Sequence, residues 1–209
     1  TSTYATTDIM AANFGQQGFK YTPPTGYVAL NTFNLPTPTI GATATSQANK
    51  YMDATTFTGN GGTLSVTNSG SFQPDFVWVK DRTDAYAHGL FDSVRGAPLK
   101  LSSNSTSAEV SQAGVSSFNS NGFTLGSDAG TNTNGASIVG WQWQAGKGTT
   151  SSNTNGSITS TVSVNNTSGF SIVTFTGTGA NATVGHGLNV APSVVIYKTR
   201  NNTDNWNFG

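Results

Sequence analysis

Hydrophobic positions along the chain alternate rather than recur at helical spacing. Phe76-Val77-Trp78-Val79-Lys80 is a β-branched and aromatic run entered through Gln73-Pro74. Gly122-Phe123-Thr124-Leu125 and Ala136-Ser137-Ile138-Val139-Gly140-Trp141-Gln142-Trp143 read the same way, with Val139, Trp141 and Trp143 on one face. In Phe170-Ser171-Ile172-Val173-Thr174-Phe175-Thr176, apolar residues point both ways, which predicts a strand covered on both faces for part of its length. Trp78, inside an apolar strand, is expected in the core. Turn clusters separate the runs: Gly59-Asn60-Gly61-Gly62, Asn119-Ser120-Asn121-Gly122 and Ser127-Asp128-Ala129-Gly130. Short strands at this spacing predict an all-β fold of the antiparallel sandwich or jelly-roll type. Helical signals are nearly absent. Glu109 is the only glutamate, and Thr106-Ser107-Ala108-Glu109, a capping-box pattern, predicts at most one short turn of helix.

The pattern repeats within the chain. Shifted by 118 residues, Thr56-Phe57-Thr58-Gly59 falls on Thr174-Phe175-Thr176-Gly177. Without gaps, Gly61 falls on Gly179, Val66 on Val184, Pro74 on Pro192, Val77 on Val195, Lys80 on Lys198 and Arg82 on Arg200. Two copies at this separation predict tandem β-domains of about 100 residues each. The first is expected over residues 49–145 and the second over residues 157–209. A Gly/Ser/Thr/Asn linker over 146–156 would join them, and its composition predicts flexibility. Residues 157–164 are expected to be the first strand of the second copy. That copy is expected to be truncated, because counterparts of 122–125 and 136–143 would be missing and a sandwich cut there exposes unpaired edges. Either the natural polypeptide continues or another chain completes the domain. Residues 36–48 form a second linker around Pro36 and Pro38. Residues 1–35 resemble neither copy and are expected to end a different domain.

Composition narrows the function. Charged residues are 9% of the 209, against about 25% in a typical soluble domain, and the formal net charge is zero. Ser, Thr, Asn and Gly make up about half the chain. Nine Lys and Arg, scattered, form no basic stripe, so a nucleic-acid groove is not expected. No apolar run approaches the ~18 residues of a membrane span. Without cysteine there are no disulfides, thiol nucleophiles or cysteine zinc sites. The chain begins at Thr1 and residues 1–30 lack a signal-peptide core, so a processed product or an excerpt of a longer polypeptide is expected.

Asn13-Phe14-Gly15-Gln16, Tyr21-Thr22-Pro23-Pro24-Thr25-Gly26-Tyr27, Ala29-Leu30-Asn31-Thr32 and Asn34-Leu35-Pro36 resemble the C-terminal end of SPRY-like, concanavalin A-like domains of bacteriophage structural proteins. Phe57-Thr58-Gly59-Asn60-Gly61, Pro74-Asp75-Phe76-Val77-Trp78-Val79-Lys80 and Val184-Gly185-His186-Gly187-Leu188 resemble the tandem β-domains that follow, chiefly in tail and virion-surface proteins of marine phages. The resemblance implies a virion component such as a tail fibre, spike or capsid-attached fibre, at the virion surface. It also implies assembly with copies of itself (a trimer first), other virion proteins as neighbours, and contact with host polysaccharide. It supplies no catalytic residues and no cofactor. A secreted carbohydrate-binding or adhesin module of a bacterium is the alternative. A polysaccharide-degrading enzyme whose catalytic part lies elsewhere in the chain is the third reading.

Candidate chemistry is sparse. A glycosidase needs two carboxylates about 5–10 Å apart. The one dense acidic group is Asp75, Asp81, Asp84 and Asp92, with Glu109 downstream. Asp75 after Pro74 is expected to cap a turn, and Asp81 and Asp84 to be loop charges. The second copy replaces Asp75, Asp81 and Asp84 by Ser193, Thr199 and Asn202, which argues against a shared catalytic role. Asp81, Asp84 and Asp92 are a calcium alternative without EF-hand spacing. His88 and His186 are too few for a histidine metal site and are expected to pack in turns. No nucleophile elbow is present, and no helix follows Gly59-Asn60-Gly61-Gly62 to make a phosphate cradle. Sugar-stacking aromatics remain: Trp141 and Trp143 on one face, with Tyr86, Phe91 and Trp206 as loop alternatives. Core or interdomain packing competes for the tryptophans. No catalytic residue, metal or cofactor is expected.

Overall fold

The computed structural model describes residues 43–209, together with Tyr21, Thr22, 24–27, 40 and 41. The chain divides into two compact units, residues 1–38 and 39–209. In the first, the Tyr27 amide donates to the Pro24 carbonyl (3.0 Å) and Gly26 has φ +90°, a turn that requires glycine. Most of residues 1–35, on which the SPRY-like expectation rests, and residues 36–39 and 42 of the linker expected over 36–48 lie outside the described residues.

The second unit is almost wholly strand and loop. Its strands are β1 (Met52–Thr58), β2 (Leu64–Thr67), β3 (Phe76–Asp81), β4 (Gly89–Asp92), β5 (Leu99–Lys100), β6 (Val110–Ser111) and β7 (Val115–Asn119). They continue with β8 (Gly122–Leu125), β9 (Ser137–Trp143), β10 (Ser151–Asn153), β11 (Ser160–Asn165), β12 (Phe170–Phe175), β13 (Ile196–Tyr197) and β14 (Asn207–Phe208). The α-helix is one turn, α1 (Ala129–Asn132), not the turn expected at Thr106–Glu109. Asp128 begins it: its backbone carbonyl accepts the Asn132 amide and its side chain the Thr131 hydroxyl. The 106–109 segment is loop instead; the Thr106 carbonyl accepts the Asp204 amide and the Glu109 amide donates to the Arg200 carbonyl.

Every strand pair is antiparallel, and the fold is an all-β sandwich. One sheet has the order β1-β9-β3-β4 and the facing sheet β2-β8-β7. Their inner faces meet in a core of Val66, Val77, Val79, Phe91, Val115, Phe123, Leu125, Ala136 and Ile138. Period-two alternation puts Val77 and Val79 inside. It therefore puts Phe76, Trp78 and Lys80 on the opposite face, so Trp78 is not in the core; it is half-buried and packs edge-on to Trp141, its cross-strand partner.

Two polar knots hold the loops. Asn132, fully buried, donates through Nδ2 to the Gly62 and Gly126 carbonyls and to Asn60 Oδ1, and its Oδ1 accepts the Asn60 amide. Asp75 is also fully buried, and its carboxylate accepts Ser93 Oγ and the amides of Ala145, Lys147 and Gly148. It thus holds the start of the segment expected as a linker, and Ser151–Asn153 of that segment forms β10.

Downstream, β10-β11-β12 form a three-stranded sheet and β13-β14 a hairpin-like pair. The internal repeat reappears in register. Trp78 pairs with Leu90 and Val79 with Gly89; 118 residues on, Ile196 pairs with Phe208 and Tyr197 with Asn207. Gly61 and Gly179 share a positive φ, +69° and +75°. Lys80 and Lys198 each donate to the next residue's carbonyl and to an aspartate carbonyl beyond, of Asp84 and Asp204.

The two copies touch. Phe170 lies against Trp143 and Phe76, nearly parallel to the Trp143 ring at 6.3 Å. Glu109 joins Arg95, whose side chain is buried, to Arg200 at 2.8 and 2.7 Å. Burial pushes the Glu109 carboxyl up, but hydrogen bonds from Arg200 and Arg95, with their charges, outweigh this and hold it below the ordinary glutamate value. A depressed folded-state pKa contributes stability that is present above the unfolded value, about 4.3, and lost as pH falls through the folded one. Glu109→Gln is expected to lower unfolding free energy by about 1–3 kcal/mol at pH 7. The gap from the parent should close as urea titrations are taken below about pH 4.

Candidate glycan-contact site

Asp75, Asp81 and Asp92 have structural tasks, and of the two expected loop charges only Asp84 is exposed while Asp81 is buried. Asp75 is the loop knot described above. Asp81 is fully buried; its Oδ1 accepts the amides of Thr83 and Asp84, and its Oδ2 is buried without a partner. Asp92 is buried and paired with Arg95. The calcium grouping of Asp81, Asp84 and Asp92 does not form. Asp92 is opposite Phe76 at one end of β3 and Asp81 stands at the other, about 16 Å along the strand. Among the described residues, no three His, Cys, Asp or Glu side chains are grouped to hold a metal.

The five aromatic candidates separate. Phe91 is fully buried under the sandwich, its ring against Gly89 and Gly114, so no sugar reaches it. Trp143 is half-buried with Phe170 over it. Trp141 is half-buried on the outer face, where Trp78 crosses it at 6.1 Å and 73°. On its other side stands Ala54, too small to cover the indole. Trp78 in turn donates its indole N–H to His88 Nδ1 (2.8 Å), which makes Nε2 the protonated nitrogen of the neutral ring. Burial, and then the Lys80 charge, push the His88 pKa down and favour that neutral form. Tyr86 is exposed in the loop before β4.

Trp206 lies in an open depression of about 530 Å³. Asn104, Ser105 and Thr106 form one wall; Asn205, Trp206 and Asn207 form the other. The indole is held by its N–H to the Ser102 carbonyl (2.9 Å). Asn104 is held by the His88 amide, which donates to its Oδ1, so the indole row reaches the depression's rim. Lys198 Nζ donates to the Thr106 and Asp204 carbonyls and the Asp204 amide to the Thr106 carbonyl, clamping the walls together. The lining carries no charged side chain. Amides and hydroxyls beside one ring suit a neutral polyhydroxylated ligand, with apolar C–H surface on the indole and hydrogen bonds around it. Asn104, Thr106 and Asn205 are wall residues that sequence reasoning missed. The capping-box pattern beginning at Thr106 was the one mark on them.

The family model DUF7483, a domain of unknown function, matches residues 47–209. The chain belongs to that family. The DUF7483 match spans both copies of the repeat and includes the Trp206 depression. No curated protein and no solved structure matches the chain.

Proposed function

We propose that this DUF7483 chain is a non-catalytic structural module of a bacteriophage virion surface, in a tail fibre, spike or capsid-attached fibre. On this reading it is built of tandem β-sandwich modules, assembles with copies of itself and touches neutral host-surface saccharides at Trp206. The observation that carries the reading is the depression itself: a fixed indole ringed by uncharged amides and hydroxyls, on a chain with 9% charged residues. The acids support it from the other side, since Asp75, Asp81 and Asp92 are occupied in holding loops. Saturation-transfer NMR against neutral oligosaccharides is expected to show contact at the Trp206 indole. Trp206→Ala should weaken binding roughly tenfold and Trp143→Phe should leave it unchanged. Binding that survives Trp206→Ala would remove the site. Antibodies against residues 39–209 should decorate surface fibres of the particle that carries the protein; bare particles would remove the virion assignment.

A further inference from the structure

Asparagine followed by glycine is where a polypeptide most readily attacks itself, because glycine has no side chain to shield its amide nitrogen. The chain has four such pairs: Asn60-Gly61, Asn121-Gly122, Asn134-Gly135 and Asn155-Gly156. Attack needs a glycine nitrogen that is not already bonded and an asparagine carboxamide free to turn towards it. The fold denies this at three pairs. Asn60 is held through both groups. Its Nδ2 donates to the Thr63 carbonyl, its Oδ1 accepts the Gly62 amide and Asn132 Nδ2, and the Gly61 amide donates to the Asn132 carbonyl at 2.8 Å. At Asn134 the Gly135 amide donates to the Gly59 carbonyl at 2.9 Å. At Asn121, Gly122 stands opposite Asn119 in the β7–β8 hairpin, and the Asn68 amide donates to the Asn121 carbonyl. Ladder alternation therefore turns the Gly122 main chain away from β2 and towards Asn119.

At Asn155-Gly156 both groups are free among the described residues. The Asn155 side chain is exposed and makes no hydrogen bond, and the Gly156 amide donates to nothing. The turn is pinned on either side instead, by the Asn155 amide on Asn153 Oδ1 and the Ser157 amide on Thr183 Oγ1, both at 2.9 Å. We infer that Asn155 is a self-modification site, converted through a cyclic imide to aspartate and isoaspartate. The Gly156 nitrogen bonds to Asn155 Cγ, the Cγ–Nδ2 bond breaks, and Nδ2 leaves as ammonia with the proton the amide gives up. Water then opens the imide at either carbonyl; nothing is oxidised or reduced. No Asp, Glu, Lys or Arg lies between Lys147 and Lys198, so the product is the first acid in that stretch and takes the formal net charge from zero to −1. Isoaspartate also lengthens the main chain by one carbon just before Gly156, where a Cβ would already stand 2.3 Å from the Thr183 carbonyl oxygen. The longer turn pulls on the Ser157 and Ile158 amides, which donate to Thr183, and on the Ile158–Val184 bridge. Conversion thus loosens 157–158 from 183–184. The site goes beyond the surface-fibre reading and stands without it.

Ageing the full chain in warm, mildly alkaline buffer tests this. Peptide mapping by mass spectrometry reads the exchange of amide for acid at each of the four asparagines, and an isoaspartate methyltransferase marks the isoaspartyl fraction. Asn155 is expected to convert about two- to tenfold faster than Asn121 and Asn134, the factor for breaking one main-chain hydrogen bond before attack. Asn60 should be slowest. In urea the four rates should converge, because each asparagine is followed by the same residue and only the fold distinguishes them. Asn155→Gln should remove the fast acidic species seen by ion exchange. In the aged parent, amide exchange should quicken at Ser157, Ile158 and Thr183 and stay native in β3 and β9. Conversion of Asn155 no faster than that of Asn121 or Asn134, or a ranking that persists in urea, overturns the assignment. Unchanged exchange at Ser157, Ile158 and Thr183 in converted chains overturns the loosening.

Discussion

Asp75→Ala is expected to destabilise residues 39–209 by about 3–5 kcal/mol, near the upper limit for a single substitution. The carboxylate is fully buried and accepts four hydrogen bonds. Truncation leaves three main-chain amides without their carboxylate acceptor, that of buried Ala145 and those of Lys147 and Gly148 at the exposed turn. Each such orphan costs about 1–3 kcal/mol. The turn concerned is already demanding, with Lys147 at φ +55° and Gly148 at φ +77°. Asp75→Asn discriminates the mechanism. If its amide nitrogen takes the place of Oδ1, Ser93 turns to accept from it and only the Gly148 amide is lost, so a smaller loss of about 2 kcal/mol is expected. Urea unfolding at pH 7 checks both. An alanine variant within about 1 kcal/mol of the parent would mean that water replaces the carboxylate.

What was legible in the chain was whatever depends on neighbours in sequence. The strand runs at Phe76–Lys80, Gly122–Leu125 and Ala136–Trp143 were legible as strands, and the residues matched by the 118-residue shift include β3 and β13, which pair in the same register with β4 and β14. Trp78 went to the wrong face because Phe76–Val79 is apolar on both sides, and a run like that does not say which side is core. Lys80 held the answer: two residues away, it shares the Trp78 face, and a lysine amine seeks the outside. Phe91 had no such marker, since all four residues of β4 are buried. The site was less legible still. Asp75 acts on amides 70 to 73 residues away, and Trp206 meets a wall about a hundred residues upstream. Local pattern carries no trace of such partners; only the sheet order, which brings the loops together, creates them.

The strongest contrast the repeat offers is between two glycines in the same tetrapeptide, Thr-Phe-Thr-Gly. Gly59→Ala is expected to cost about 3 kcal/mol or more, and Gly177→Ala less than about 0.5 kcal/mol. A Cβ on Gly59 would stand 2.1 Å from the Thr133 carbonyl oxygen and 3.0 Å from the Asn132 carbonyl carbon and from Ile138 Cδ1. The first two obstacles are backbone, and they cannot move alone. Gly59 exchanges main-chain hydrogen bonds with Gly135 and Ala136, and Asn132 is tied to Gly62 and Gly126. Relief therefore breaks either the end of the β1–β9 ladder or the Asn132 knot. A Cβ on Gly177 meets nothing within 4 Å. Neither glycine needs a positive φ, so the difference is contact and not conformational freedom. Paired thermal and urea unfolding of the two variants measures it directly. Equal losses would mean that the second copy carries an overlay like the 132–133 segment and that Gly177 is covered in solution.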